Sequence, residues 1–335
     1  MNSKLSKTHS FLQTPKTGDG RRFFHPILMM YPAHHFGKTY TDFMTDHRVL
    51  VESNMKCLEM HDFDAVSVIS DPYREAAAFG AKVYFEGNHS PKADILIKNA
   101  SDVDSLRNPD VYANERTLDR INGVKYFREL LGPKFPIIGW VEGPLAESAD
   151  LAGISETMMN MMMEPDMVKK LQRKCLQTAK DFALAQIDAG ANIIGVGDAL
   201  CSQIPPEMYD EFCFELHQEL FEFIHAKGAL VKLHICGNIT HILPSLAKTG
   251  LDILDVDWMV NMADAYQAMG DEVMLAGNLD PVSVILEGNQ SYIEEKYNEI
   301  EKVVPRDNWI VMGGCEIPPA TPVENVNLLR KLSMK

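Results

Sequence analysis

No run of about 18 consecutive apolar residues occurs in the chain, so nothing in it reads as a membrane-spanning helix. The N-terminal stretch MNSKLSKTHSFLQTPKTGDGRR has basic residues but no apolar segment, which excludes a secretory signal and predicts a flexible tail over 1–22. No Gly-x-Gly-x-x-Gly follows the first strand candidate, so the main signature of a dinucleotide-binding open sheet is missing. Basic residues are outnumbered, 32 against 47 acidic, giving a net charge of −15. With no basic stripe to offset it, this surface repels phosphate backbones and argues against nucleic-acid binding. Cysteine is sparse and scattered, at positions 57, 175, 201, 213, 236 and 315. Without an export signal, these are expected as free thiols or metal ligands in a reducing cytoplasm rather than as a disulfide framework.

What is present is a regular alternation. Short apolar runs at Ile27–Tyr31, Ala65–Ile69, Ile137–Val141, Asn192–Val196, Leu230–His234, Ile253–Val256, Val273–Ala276 and Trp309–Met312 read as strands. Most are rich in Val, Ile and Leu and do not alternate with polar residues, as parallel strands buried on both faces should not. Helical patterns lie between them, among them Asp166–Ala189, Pro206–Lys227, Ile239–Thr249, Val260–Met269, Ser291–Val304 and Val323–Leu332. Eight strand–helix units in 335 residues predict one (β/α)₈ TIM barrel over 23–335 with an N-terminal extension. The stretch 74–131 departs from the alternation and is expected to be an excursion with a hairpin, Lys82–Glu86 and Asp94–Ile97. No internal repeat stands out. The one biased segment, Met158–Met163, reads first as a helix packed on the barrel. A homodimer is no more than the base-rate expectation.

In such barrels chemistry sits at the C-terminal ends of the strands. Those ends carry Glu142, Asp198, His234-Ile235-Cys236, Asp257-Trp258, Asn278 and Gly313-Gly314-Cys315-Glu316. His34 follows the first strand candidate. His234 and Cys236 are two apart on a strand, so their side chains share a side and can reach one ion. With Cys315 they make a soft set suited to zinc, and three protein ligands leave a fourth position for water or substrate. A packed thiol and a hydrogen-bonded histidine remain the plain alternative. Glu142 and Asp198 are candidate catalytic acids or bases. Asn278, Asp257, Trp258 and His34 are candidate substrate contacts. Asp198, Asp257 and Asp280 also suit helix caps or turns. A fourth protein ligand, if there is one, would come from Glu142, Cys201 or the Trp258-Met259 turn.

His234-Ile235-Cys236-Gly237-Asn238, Leu275-Ala276-Gly277-Asn278-Leu279-Asp280-Pro281 and Gly313-Gly314-Cys315-Glu316-Ile317-Pro318 together resemble the uroporphyrinogen decarboxylase superfamily. They are most similar to its zinc-dependent, corrinoid-linked branch, the methylcobalamin:coenzyme M methyltransferases. The resemblance implies zinc on His234, Cys236 and Cys315. It also implies methyl transfer between a small substrate and a corrinoid carried by a separate small protein that docks over the C-terminal face. The substrate class left open is a methoxyaromatic, a methylamine, a thiol or tetrahydrofolate. The N-terminal Arg-rich motif that grips porphyrin carboxylates is missing from Gly20-Arg21-Arg22-Phe23-Phe24-His25-Pro26. Tetrapyrrole decarboxylation is therefore the less favoured alternative, and a non-catalytic zinc or corrinoid-binding protein is a third. For a sulfonate, only Lys232 and Arg74 near the strand ends offer charge.

Overall fold

The computed structural model describes residues 21–335. Eight parallel strands form one curled sheet in chain order. They are β1 (Phe23–Phe24), β2 (Val66–Ser67), β3 (Ile137–Glu142), β4 (Ile193–Gly197), β5 (Leu230–His234), β6 (Ile253–Val256), β7 (Met274–Leu279) and β8 (Trp309–Gly313). β1 pairs with β8 through Phe23↔Ile310 and Phe24↔Val311. The β1–β2 seam is closed by side chain and backbone together. Asp64 N donates to Phe24 O at 2.9 Å, and Phe24 N donates to the Asp64 carboxylate at 2.8 Å. Arg330, on the C-terminal helix Val323–Ser333, holds that carboxylate at 3.0 Å. The fold is the expected (β/α)₈ barrel. Among the described residues no helix is long and apolar enough to cross a membrane.

Three boundaries differ from expectation. The first strand is Phe23–Phe24, not Ile27–Tyr31, and Met30–His35 is helical. The run after Pro26 is apolar because it is buried, not because it is paired. The hairpin pairs Val83–Tyr84 with Lys92–Ala93, which starts two residues before the expected Asp94–Ile97. The expected tail lies outside the described residues up to residue 20, but Arg21 and Arg22 do not belong to it. Arg22 is buried, bonds Tyr297 Oη at 2.9 Å, ion-pairs with Glu301 and lies over the Trp309 ring.

Period-two alternation explains both cores. One set of strand residues, including Phe24, Val66, Val141, Ile194, Leu233, Leu254, Leu275 and Val311, packs under the helices. The other set, Phe23, Ile138, Trp140, Ile193, Ile253, Met274, Ala276, Ile310 and Met312, fills the barrel. Both faces are apolar, which is why the strands read as unbroken apolar runs. Helices stop where the backbone turns left-handed. At Gly190, φ is +118°, and its N–H donates to Ile187 O at 2.9 Å.

Inside the barrel a glycine makes room for an aromatic ring. A Cβ at Gly195 of β4 would lie 2.2 Å from the Trp140 ring, which itself sits 6.3 Å from the His234 ring. Gly195→Ala should therefore push Trp140 off its site and cost about 1–3 kcal/mol of stability as overpacking. Urea unfolding checks this, and a variant as stable as the parent would refute the packing account.

Candidate metal centre

The inward stripe of each central strand is apolar at the bottom and polar at the top. On β3 it reads Ile138, Trp140, Glu142. On β5 and beyond it reads Leu230, Lys232, His234, Cys236. On β6 and beyond it reads Ile253, Asp255, Asp257. The same two-residue step that builds the core therefore lifts His234 and Cys236 into the mouth of the barrel. Cys315 arrives from the turn after β8. Gly314 N donates to Leu279 O at 2.8 Å, and a Cβ there would meet Trp258 N at 2.3 Å. Only a glycine lets this turn pass so close over the end of β6.

The three ligand atoms converge. His234 Nε2 lies 3.1 Å from Cys236 Sγ and 3.8 Å from Cys315 Sγ, and the two sulfurs are 3.9 Å apart. Zinc bonds of about 2.3 Å to sulfur and about 2.0–2.1 Å to nitrogen, set tetrahedrally, require S···S near ~3.8 Å and S···N near ~3.6 Å. The donor set and its spacing fit the ion. Behind it, His234 Nδ1 lies 3.3 Å from Asp255 Oδ2, and Asp255 is paired with the buried Lys232. Burial alone would raise the Asp255 carboxyl, yet Lys232 and His234 hold it below the ordinary carboxylate range. A carboxylate on the far nitrogen fixes the tautomer that presents Nε2 to a metal. Asp257 braces the next turn by accepting from Gly237 N at 2.6 Å.

His234 and Cys315 favour each other's charged form. Cys315 is lowered to about 4, first by the hydrogen bond from Cys236 and then by His234. His234 is raised to about 9: burial opposes this, but Asp255 and Cys315 outweigh it. Cys236 is pushed up, chiefly because it donates to Cys315.

Glu142 ends β3 beside the trio. Its carboxylate accepts from Arg74 Nη2 at 2.8 Å, and its N–H donates to Glu75 at 2.8 Å. Burial raises its pKa well above the usual carboxylate value despite Arg74. Glu75, Glu147 and Asp150 are raised as well, each first by burial. Asp198 sits away from the trio. It is fully buried, and its oxygens accept from Ala146 N at 2.8 Å and meet His217 Nε2 at 3.0 Å. It anchors the helix Pro144–Ala152 instead of facing the trio. Cys201 is also no fourth ligand of the trio: it is buried, 3.7 Å from Cys213.

The expected substrate contacts divide. Asn278 donates its amide to Asp257 O at 3.2 Å and Val260 O at 2.6 Å, tying two strand ends together. Trp258 is 47% exposed and, with Asn278, Val260 and Tyr292, lines a groove of about 430 Å³ that none of the three ligands borders. His34 is exposed, with its ring 5.4 Å from that of His35. Asp255 and His25 were not picked out from the sequence. His25 is held at about 3 by burial and Lys232, and it bonds Ala65 O at 3.1 Å.

An α/β barrel with a soft three-ligand cluster at its mouth is thus the class of protein that fold and site define. The chain belongs to the uroporphyrinogen decarboxylase (URO-D) family, whose model matches residues 25–334. It is 29% identical over 223 residues to the methylcobamide:CoM methyltransferase MtaA of Methanosarcina barkeri, covering 66% of this chain and 64% of that protein. The match therefore spans somewhat under two thirds of that relative's length. It is 26% identical to the uroporphyrinogen decarboxylase of Synechocystis over 90% of each chain. Both kinds of relative are enzymes. Among solved structures, a methyltransferase from Methanosarcina mazei superposes with a TM-score of 0.87 at 20% identity, covering 99% of this chain and 98% of that one. A B12-independent methionine synthase from Shewanella gives 0.60 at 14%, covering 86% and 85%. At these identities the structural likenesses speak for the fold.

Two predictions follow from the geometry. In metal-stripped protein, iodoacetamide should label Cys315 well before Cys236 at pH 6–7, since the Cys315 thiol is held below the ordinary range while that of Cys236 is pushed up. Mass mapping reads this, and equal labelling would contradict the assigned pair. Asp255→Asn should weaken zinc binding about 10–100-fold through loss of the charged partner behind His234. Competition with a zinc chelator measures it, and an unchanged affinity would count against that role.

Proposed function

We propose that the protein is a zinc-dependent methyltransferase moving a methyl group between a small substrate and the corrinoid of a separate carrier protein. The observation that carries this reading is the convergence of one imidazole and two thiols, 3.1–3.9 Å apart, at the mouth of the barrel. Three protein ligands leave a coordination position for substrate. Bound there, zinc would supply Lewis acidity, stabilising a thiolate or polarising an ether or amine.

This chain's own residues do the rest. Asp255 orients His234. The Glu142 carboxyl, raised by burial and held by Arg74, is proposed to exchange a proton with a departing heteroatom or to hold a substrate polar group. Asp257, Asn278, Trp258 and His34 are proposed to border the substrate and the docked carrier. Trp258 and Met259, 47% and 50% exposed, offer apolar surface on that rim. The buried cations do not serve a polyanion: Arg74 is matched by Glu142 and Glu75, Arg116 by Asp71, and Lys232 by Asp255. This disfavours tetrapyrrole decarboxylation and a sulfonate acceptor. A methoxyaromatic, methylamine, thiol or tetrahydrofolate suits the pocket better. Six free cysteines fit action in the cytoplasm.

The test follows the visible spectrum of methylcobalamin, or of a reduced corrinoid carrier, against those four substrate classes. Wild type should give a zinc-dependent change with one of them. Cys236→Ser/Cys315→Ser should lose it by at least about 100-fold, together with one equivalent of zinc. No spectral change with any class would sink methyl transfer. Activity intact in the zinc-depleted variant would sink the role of the metal.

A further inference from the structure

We propose that Asp198, Cys201, Cys213 and His217 form a second, structural transition-metal site of zinc-like preference, buried behind β4 and separate from the trio at the mouth. The ligand atoms of Asp198, Cys201 and His217 all lie within 4.8 Å of one another. Asp198 Oδ2 is 3.0 Å from His217 Nε2, and Cys201 Sγ is 3.7 Å from Cys213 Sγ. Tetrahedral zinc, with bonds of about 2.0 Å to oxygen or nitrogen and about 2.3 Å to sulfur, requires O···N near ~3.3 Å and S···S near ~3.8 Å. These two pairs stand within a few tenths of an ångström of both; Cys213 lies outside the mutually close set of Asp198, Cys201 and His217 and joins it through Cys201.

The sequence spacing agrees. Asp198 and Cys201 are three apart, Cys213 and His217 four apart, with eleven residues between the two pairs. Zinc sites commonly join two such close pairs across a segment of about 12–15 residues. Local structure serves the cluster. Cys201 lies in the 3₁₀ turn Ala199–Gln203, whose start is pinned by Cys201 N donating to Asp198 O at 3.1 Å. Cys213 lies in the π-helical turn Asp210–Phe214, and such turns are frequent at functional sites.

The rear of the ligand set is held as metal sites require. Asp198 Oδ1 accepts from Ala146 N at 2.8 Å, and His217 Nδ1 bonds Tyr209 Oη at 2.8 Å. All four residues are buried, at no more than 2% exposure. A site so enclosed holds metal for stability rather than for turnover. On binding, Cys201 and Cys213 would lose their protons, while the amides of Leu145 and Ala146 donate to the Asp198 carboxylate. A metal-free packing of two thiols beside an Asp–His–Tyr chain is the competing arrangement.

The inference is independent of the proposed methyl transfer. The test counts zinc per chain in wild type, in Cys236→Ser/Cys315→Ser and in Cys201→Ala/Cys213→Ala, with circular dichroism to check folding. Expected are two equivalents, one and one. The Cys236→Ser/Cys315→Ser variant, refolded with cobalt(II), should keep thiolate-to-cobalt charge-transfer absorption, which does not depend on the Cys201/Cys213 variant folding. A single equivalent in wild type that vanishes with Cys236 and Cys315, with no cobalt–thiolate band left, overturns the second site and leaves the first intact. A single equivalent that survives loss of Cys236 and Cys315 supports the second site and overturns the first.

Discussion

The Asp255 carboxylate, buried between Lys232 and His234, is the constraint on which the centre depends. A carboxylate with no exposure persists only where cations and donors compensate its lost hydration. Lys232 provides that compensation from one strand and His234 from the same strand two residues on. The result fixes the His234 ring, and with it the direction in which its free nitrogen points. Cys236 continues the same inward stripe, and Cys315 is brought over it by a glycine turn that packs directly on the backbone at Trp258. Fold and site are therefore one construction. The residue alternation that fills the lower barrel with Trp140, Ile193, Ile253 and Met274 places polar groups at the top.

The electrostatics around the trio divide into two halves. On the β5–β6 side, cation and carboxylate are matched and the carboxylate stays ionised. On the β3 side, Glu75, Glu142, Glu147 and Asp150 share Arg74, and burial lifts their pKa values. One side thus holds a matched, fixed charge, while on the other burial favours the neutral form of crowded carboxyls. That asymmetry suits a centre where a soft nucleophile is held on one side and a heteroatom is protonated from the other.

Much of this was legible in the sequence, for physical reasons. Seven of the strand candidates overlap observed strands, since parallel strands buried on both faces leave continuous apolar runs. The first did not, because the longer apolar segment after Pro26 drew the assignment and buries without pairing, while the paired residues Phe23–Phe24 lie just before it. His234, Cys236 and Cys315 stood out because their chemistry is rare and their place at strand ends is fixed by topology. Asp255 was missed although it lies two residues before Asp257 on the same inward stripe; a strict two-step count along β6 would have found it. The sequence left both roles open for Asp198 because a strand-end aspartate looks the same whether it faces the pocket or anchors the next helix. Only the positions of Ala146 and His217, which come from other segments, tell the two apart.

The central claim is an ion held by three side chains with one position free. Crystallographic anomalous scattering at the zinc edge tests it most directly. The account predicts a peak within bonding distance of His234 Nε2, Cys236 Sγ and Cys315 Sγ, with a solvent or substrate atom as the fourth neighbour. No peak there, or a fourth ligand supplied by the protein, would contradict it.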